Sequence, residues 1–252
     1  MSDLKGKVAI VTGGASGIGR ASALLFASKG CQVMLADKDQ TGGAAALDEL
    51  RAIDIGCGAF TSVDVAEAEQ VAAVVRETVA RFGRLDVLLN SAAIYPTFPS
   101  LLETPDADWD KVMRINLRGS FLFCKHALPA MLEAGTGAIV NLSSISGLRG
   151  TTYSVPYAVA KAGVIQLTKT VAVQYGPRGV RANCIVPGLV DSPMSRKVTG
   201  SAEEFDRYVR QIPAGRAATP EDIAELALFL ASSVSDYING SAIVIDGGIM
   251  AR

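Results

Sequence analysis

Short apolar runs alternate with amphipathic stretches along this chain. Residues 7–12 (KVAIVT) form a β-branched run that ends in glycines, and 31–36 (CQVMLA), 58–62, 85–89, 138–142, 181–186 and 242–245 are further runs of strand length. Between them the apolar positions fall at helical spacing. In 18–29 these are Ile18, Ala21, Leu24, Leu25 and Ala27, with Gly30 as a stop; in 66–82 they are Val71, Val74, Val75, Val79 and Phe82, capped by Gly83. Residues 40–51 are alanine-rich and helical, 155–175 end at Gly176-Pro177, and 220–231 open on a proline suited to a first turn. Residues 106–134 predict one long helix, broken late by Pro129 and ended by Gly135.

The strands are continuously apolar rather than alternating, as helices covering both faces require. Repeated βα units with right-handed crossovers then predict an α/β fold. It is a single Rossmann-like, doubly wound domain over residues 1–252, with a seven-stranded parallel sheet and helices on both faces. No linker or repeat array interrupts it. The irregular stretch is 188–218, with a short helix near 202–210, and a long loop beside the carboxyl ends of the strands suits a substrate lid.

Composition narrows the function. Of 252 residues, 49% are hydrophobic and 19% charged, which fits a soluble globular protein. The net charge is −1 and no basic stripe stands out, so no nucleic-acid partner is expected. No apolar run approaches the roughly 18–20 residues of a membrane span, so no membrane is expected. Residues 1–7 (MSDLKGK) lack an apolar signal region, and the expectation is an unprocessed cytoplasmic protein. The four cysteines form no CxxC pair and His126 is the single histidine, so no metal site is expected and the thiols read as buried and reduced.

In a doubly wound sheet, ligands bind beyond the carboxyl ends of the strands, where strand order reverses. The first strand ends in Thr12-Gly13-Gly14-Ala15-Ser16-Gly17-Ile18-Gly19. Missing Cβ atoms at 13, 17 and 19 let the backbone approach a pyrophosphate, and the following helix N-terminus favours its charge; a purely structural turn is the alternative. The second strand ends at Asp37, either a helix N-cap or an acceptor for the adenosine ribose hydroxyls. As the latter it would repel a 2′-phosphate by roughly 4 kcal/mol at 4 Å and an effective dielectric of 20, about a thousandfold in favour of NAD over NADP. Lys38 is adjacent, with its side chain expected in solvent. The fourth strand ends in the small residues Asn90-Ser91-Ala92-Ala93, which admit a flat ring. Tyr157 and Lys161 share one helix face; seen alone, they are an aromatic packing residue and a solvated cation.

Taken together, these segments resemble the short-chain dehydrogenase/reductase family. The resemblance is carried by TGGASGIG at 12–19, Asp64-Val65, NSAA at 90–93, Asn116, Ser144, Tyr157 with Lys161, Pro187-Gly188 and IDGG at 245–248. It spans nearly the whole chain in the family's order. It implies a catalytic set of Asn116, Ser144, Tyr157 and Lys161, with Ser144 thirteen residues before Tyr157. Tyr157 would be the general acid/base, Lys161 its tuner, and Asn116 the holder of a water linking Lys161 to solvent. Ser143 would be structural or near the nicotinamide. Gly13, Ser16, Gly17, Ile18 and Gly19 would cradle the pyrophosphate of NAD, and Asp37 would hold its ribose. Asp64 and Val65 would meet the adenine, and Asn90 and Ala92 the ribose of the nicotinamide half. Pro187, Gly188, Val190 and Ser192 would meet the nicotinamide side, together with Tyr157 and Lys161. The chain departs from the family's frequent NNAG with NSAA, and has Ser192 where threonine is common, keeping the hydroxyl.

Lys161 and the positive nicotinamide together would bring Tyr157 from a pKa near 10 into working range. The substrate pocket would be bordered by Ile94, Tyr95, Ser144, Ser146, Leu148, Tyr153 and Met194, with Val190 and a solvated Arg149 nearby. Mostly apolar or aromatic walls suggest a small, rather hydrophobic secondary alcohol or ketone. A 3-oxoacyl-thioester (acyl carrier protein) reductase is the alternative, against which Asp37 counts. A non-catalytic nucleotide sensor would be expected to lack Tyr157 or Lys161, and both are present. The resemblance also implies a homotetramer, with 106–134, 155–175 and 238–252 as candidate interfaces, and His126 reads as a packing or subunit-contact residue.

Overall fold

A computed structural model describes residues 3–151 and 153–251. Met1 and Ser2 of the expected signal-free start, and Arg252 at the end of the candidate C-terminal interface, lie outside the described residues. Seven strands, β1 (Val8–Thr12), β2 (Gln32–Asp37), β3 (Gly58–Ser62), β4 (Val87–Asn90), β5 (Gly137–Leu142), β6 (Val180–Pro187) and β7 (Ala242–Ile245), form one sheet in the order β3-β2-β1-β4-β5-β6-β7. Every pairing is parallel. Strand order reverses between β1 and β4, where Thr12 lies opposite Asn90 at the carboxyl edge.

Helices cover both faces. On one side α1 (Gly17–Ser28), α2 (Gln40–Ile53) and α9 (Pro220–Ala231) pack Phe26, Leu50 and Leu230 onto Val11, Val33 and Leu35. On the other, α3 (Ala68–Phe82), α5 (Gly119–Glu133) and α6 (Val155–Tyr175) pack Val71, Val74, Phe123 and Met131 onto Ile10, Met34, Leu88 and Ile139. The continuous burial of β1, β4 and β5 is why these strands read as unbroken apolar runs. All four cysteines are buried free thiols. No helix among the described residues is long and apolar enough to cross a membrane.

Three details depart from the sequence reading. The expected helix over 106–134 is α4 (Asp106–Val112), a π-helical turn (Met113–Arg118) and α5. Pro129 does not break it; α5 runs on to Glu133, with buried Leu128 and Met131 pinning the turn around the proline. Region 188–218 holds two helices rather than one, α7 (Pro193–Thr199) and α8 (Ala202–Val209). Its base is pinched by a parallel bridge between Val190 and Ala218, with Asp191 N donating to Ala218 O at 2.8 Å and Ala218 N to Leu189 O at 2.9 Å.

Candidate active site

A cleft of about 1110 Å³ opens along the carboxyl edge of the sheet at the β1/β4 reversal. Its first wall is the turn from β1 into α1, carrying Gly13, Ser16, Gly17 and Ile18. Gly13 has φ +67°, and a Cβ there would lie 3.0 Å from the backbone of Ala92. Only glycine lets these two strand ends approach so closely. Gly19 is not in the wall. A Cβ on it would overlap the Gly13 carbonyl, so Gly19 packs α1 under the loop instead.

Asp37, Asp64 and Val65 stand together at one end of the cleft, with the exposed Lys38 at the same rim. Asp37 Oδ2 accepts from Ala15 N at 3.1 Å and Oδ1 from Asp39 N at 3.0 Å, tying the end of β2 to the glycine loop. It is not a helix cap: Asp39 caps α2, accepting from Gly42 N at 3.1 Å. Ala92, Pro187, Gly188, Val190 and Ser192 line the middle. Ser192 also caps α7, its hydroxyl accepting from Ser195 N at 3.4 Å.

The other end holds Ser144, Tyr157 and Lys161. Ser144 follows β5 in an extended conformation, and its hydroxyl accepts from Ser146 N at 3.2 Å. Tyr157 and Lys161 project from the first turns of α6, one turn apart. Lys161 is 3% exposed, its ammonium donates to Leu142 O at 2.7 Å, and it lies 5.6 Å from the Tyr157 ring centroid. Burial pushes the Tyr157 phenol well above its ordinary range, Tyr95 adds to this, and the Ser144 hydroxyl opposes it. Burial moves Lys161 the other way, down to about 8. Lys161 alone therefore does not bring Tyr157 down. Ser143 also lines the cleft, its hydroxyl donating to Lys161 O at 2.8 Å.

Asn116 and Asn90 do not face the cleft. Asn116 is buried in the π-helical turn and spends its amide on the Ile94 backbone, accepting from Ile94 N and donating to Ile94 O, both at 2.8 Å. Asn90 is buried below the strand end and donates to Asn141 Oδ1 at 2.8 Å, while Asn141 donates to Thr168 Oγ1 at 2.9 Å. This polar chain ties β4, β5 and α6 together and leaves Asn90 Oδ1 buried without a hydrogen-bond partner among the described residues.

Of the expected substrate wall, Ile94, Tyr95, Ser146, Tyr153 and Met194 line the cleft with Ser144, and exposed Arg149 stands at its rim. Leu148 does not; it is 45% exposed and outside the cleft, because the short 3-10 turn at Ile145–Gly147 turns it away. The half-buried His126 on α5 is remote from the cleft. The sequence reading missed Glu204, Arg207, Tyr208 and Gln211, which α8 and the residues after it bring to the rim. Tyr208 meets Tyr153 edge-on at 6.0 Å. A usable signal existed for α7: Ser192-Pro193 is a cap followed by a first-turn proline, and Gly200 is a stop.

The residues fit a nicotinamide dinucleotide. The glycine turn clears a path for a pyrophosphate, an acid waits at the end of β2, and proton-bearing groups cluster at the far end.

Residues 13–250 match the family described as enoyl-(acyl carrier protein) reductase. A 3-oxoacyl-(acyl-carrier-protein) reductase of Thermotoga maritima is 38% identical over 248 residues, 98% of this chain and 99% of that protein. A cis-4-hydroxycyclohexanecarboxylate dehydrogenase of Sinomonas cyclohexanicum is 42% identical, covering 97% of each. Among solved structures, levodione reductase superposes with a TM-score of 0.95 at 34% identity, covering 99% of both chains.

Proposed function

The chain belongs to the short-chain dehydrogenase/reductase family of oxidoreductases, and from that premise we propose that it is an NAD(H)-dependent enzyme interconverting a secondary alcohol and a ketone. The observation that carries this reading is a cleft with Asp37 at one end and Ser144, Tyr157 and Lys161 at the other. Gly13, Ser16, Gly17 and Ile18 would hold the pyrophosphate, Asp37 the adenosine ribose, and Asp64 and Val65 the adenine. Pro187, Gly188, Val190 and Ser192 would border the nicotinamide, which when bound supplies the hydride acceptor or donor.

Ser144 hydrogen-bonds the substrate oxygen and stabilises charge on it. Tyr157 takes the alcohol proton on its phenolic oxygen in oxidation and returns it in reduction. Burial holds that phenol protonated, which suits the acid role directly; the base role needs a cationic neighbour beyond Lys161. Lys161, anchored on Leu142 O, stiffens the first turns of α6 beneath Tyr157. Asn116 acts at one remove, through the Ile94 backbone.

Asp37 supports NAD over NADP, since its carboxylate would face a 2′-phosphate. Apolar and aromatic walls from Ile94, Tyr95, Tyr153 and Met194 support a compact, hydrophobic substrate. Two relatives whose names specify a cyclohexanecarboxylate alcohol and levodione make a cyclic alcohol the first class to try. The second reading, a 3-oxoacyl-thioester reductase, is supported by the Thermotoga relative's full-length match. The test offers purified protein NAD⁺ or NADP⁺ with cyclic, aryl and 3-hydroxyacyl alcohols at pH 7–9. Turnover with NAD⁺ on the cyclic or aryl members is expected. Turnover confined to NADP⁺ and the 3-hydroxyacyl members would move the assignment to the second reading.

We also read the protein as a cytoplasmic homotetramer. Phe121, 45% exposed on α5, shares a shallow apolar groove with Met113, Leu117 and Leu167 of the long helices. Light scattering should give four times the monomer mass, and a monomer would refute the assembly.

A further inference from the structure

The Tyr95 ring lies over the Tyr157 ring at 4.1 Å between centroids and 14° between planes. That is a parallel stack on the residue proposed to move the proton, made by a side chain from a different element. The backbone behind Tyr95 is fixed. Asn116 clamps Ile94 by both its N–H and its carbonyl. Phe98 N donates to Tyr153 O at 2.8 Å, binding the same loop to the segment before α6. Tyr95 thus stands on an anchored backbone and lays one ring face on Tyr157. The two rings share an apolar cluster with Val112, Ala160 and Leu117.

We propose that Tyr95 is a positioning residue: its stacked ring fixes the plane of the Tyr157 phenol and keeps water off its face. The idea rests on the dehydrogenase reading of the site. An aromatic stack costs little conformational entropy to hold and resists tilting of the partner ring, so the phenolic oxygen stays aimed between Ser144 and the substrate carbon. The titratable and charged groups facing Tyr157 are Lys161 on its own helix and Tyr95 from the loop after β4, with the Ser144 hydroxyl after β5. Removing Tyr95 opens one face to solvent and leaves the others in place.

The test compares Tyr95→Phe and Tyr95→Ala with the native protein by steady-state kinetics, NAD binding and NMR titration of ¹³C-labelled tyrosine, the Tyr157 signal being assigned with Tyr157→Phe. Tyr95→Phe should leave the Tyr157 titration in place, because the ring remains. Tyr95→Ala should lower kcat by about tenfold or more through misplacement. It should also shift the Tyr157 titration down by about one pH unit or more through hydration, with NAD affinity unchanged. A Tyr95→Ala protein with native kcat and native Tyr157 titration would overturn the proposal. So would a Tyr157 titration that shifts as far in a folded Tyr95→Phe as in Tyr95→Ala. Should Tyr95→Ala fail to fold, Tyr95→Leu is read by the same criteria. If the native protein oxidises no alcohol, the dehydrogenase reading fails, while the titration still decides whether Tyr95 shields Tyr157.

Discussion

The Lys161 ammonium donates to the carbonyl of Leu142 at 2.7 Å, joining the first turns of α6 to the last residue of β5 beneath the proton-bearing end of the cleft. The bond is buried, and burial lowers the Lys161 pKa to about 8 from an ordinary 10.5. A folded-state pKa below the unfolded one means that the unfolded chain binds more protons between those values. The contribution to stability is then present in full above about 10.5 and lost as pH falls through 8. Tyr157 acts oppositely, but only above about pH 10, where an unfolded tyrosine ionises and the buried one does not. Between pH 8 and 10 the Lys161 effect stands alone of the two. Melting curves of the protein without added cofactor should show a stabilising slope across that window relative to Lys161→Met, and identical slopes would count against the buried cation.

Gly19 offers a sharper test of the glycine turn than Gly13. In an ordinary helix Gly→Ala gains up to about 1 kcal/mol. Here a Cβ would meet the Gly13 carbonyl oxygen, a backbone atom that cannot step aside without moving the cradle. Gly19→Ala should therefore lower the melting temperature, by an overpacking cost of about 1–3 kcal/mol. It should also weaken NAD binding, measured by fluorescence quenching. A stabilised variant with native affinity would refute the packing argument.

Asp37 carries the cofactor choice. Its two oxygens hold Ala15 N and Asp39 N, which aims the carboxylate across the end of β2. Asp37→Ala should reduce a preference of about a thousandfold for NAD to about tenfold or less. The kcat/KM ratio for the two cofactors measures this. An unchanged ratio would shift the explanation from Asp37 to the backbone around the end of β2.

Much of this was legible because of burial. Strands covered on both faces leave unbroken apolar runs, so β1, β4 and β5 stand out, and the sheet follows from repeated βα units. The glycine turn, Asp37, Ser144, Tyr157 and Lys161 sit at strand and helix ends, where the topology directs attention. What was hidden depends on single turns. A π-helical turn leaves no mark in an apolar pattern, so the clamp of Asn116 on Ile94 was invisible. One 3-10 turn sends Leu148 outward while its neighbour Ser146 faces the cleft. Helix α7 is short and polar, held by its cap rather than by a buried face, so its periodicity is too brief to read. Asn90 stands at a strand end, yet its amide nitrogen is spent within the core on Asn141.

On the dehydrogenase reading Tyr157 exchanges the substrate proton while the cofactor is held elsewhere in the cleft. The most direct measurement is NADH formation by the native protein and Tyr157→Phe, on the best alcohol found, with NAD affinity measured for both. The substitution removes one oxygen and keeps the ring stacked on Tyr95. Tyr157→Phe should keep its NAD affinity and lose turnover by about a thousandfold or more. Turnover in Tyr157→Phe within tenfold of native would contradict that reading.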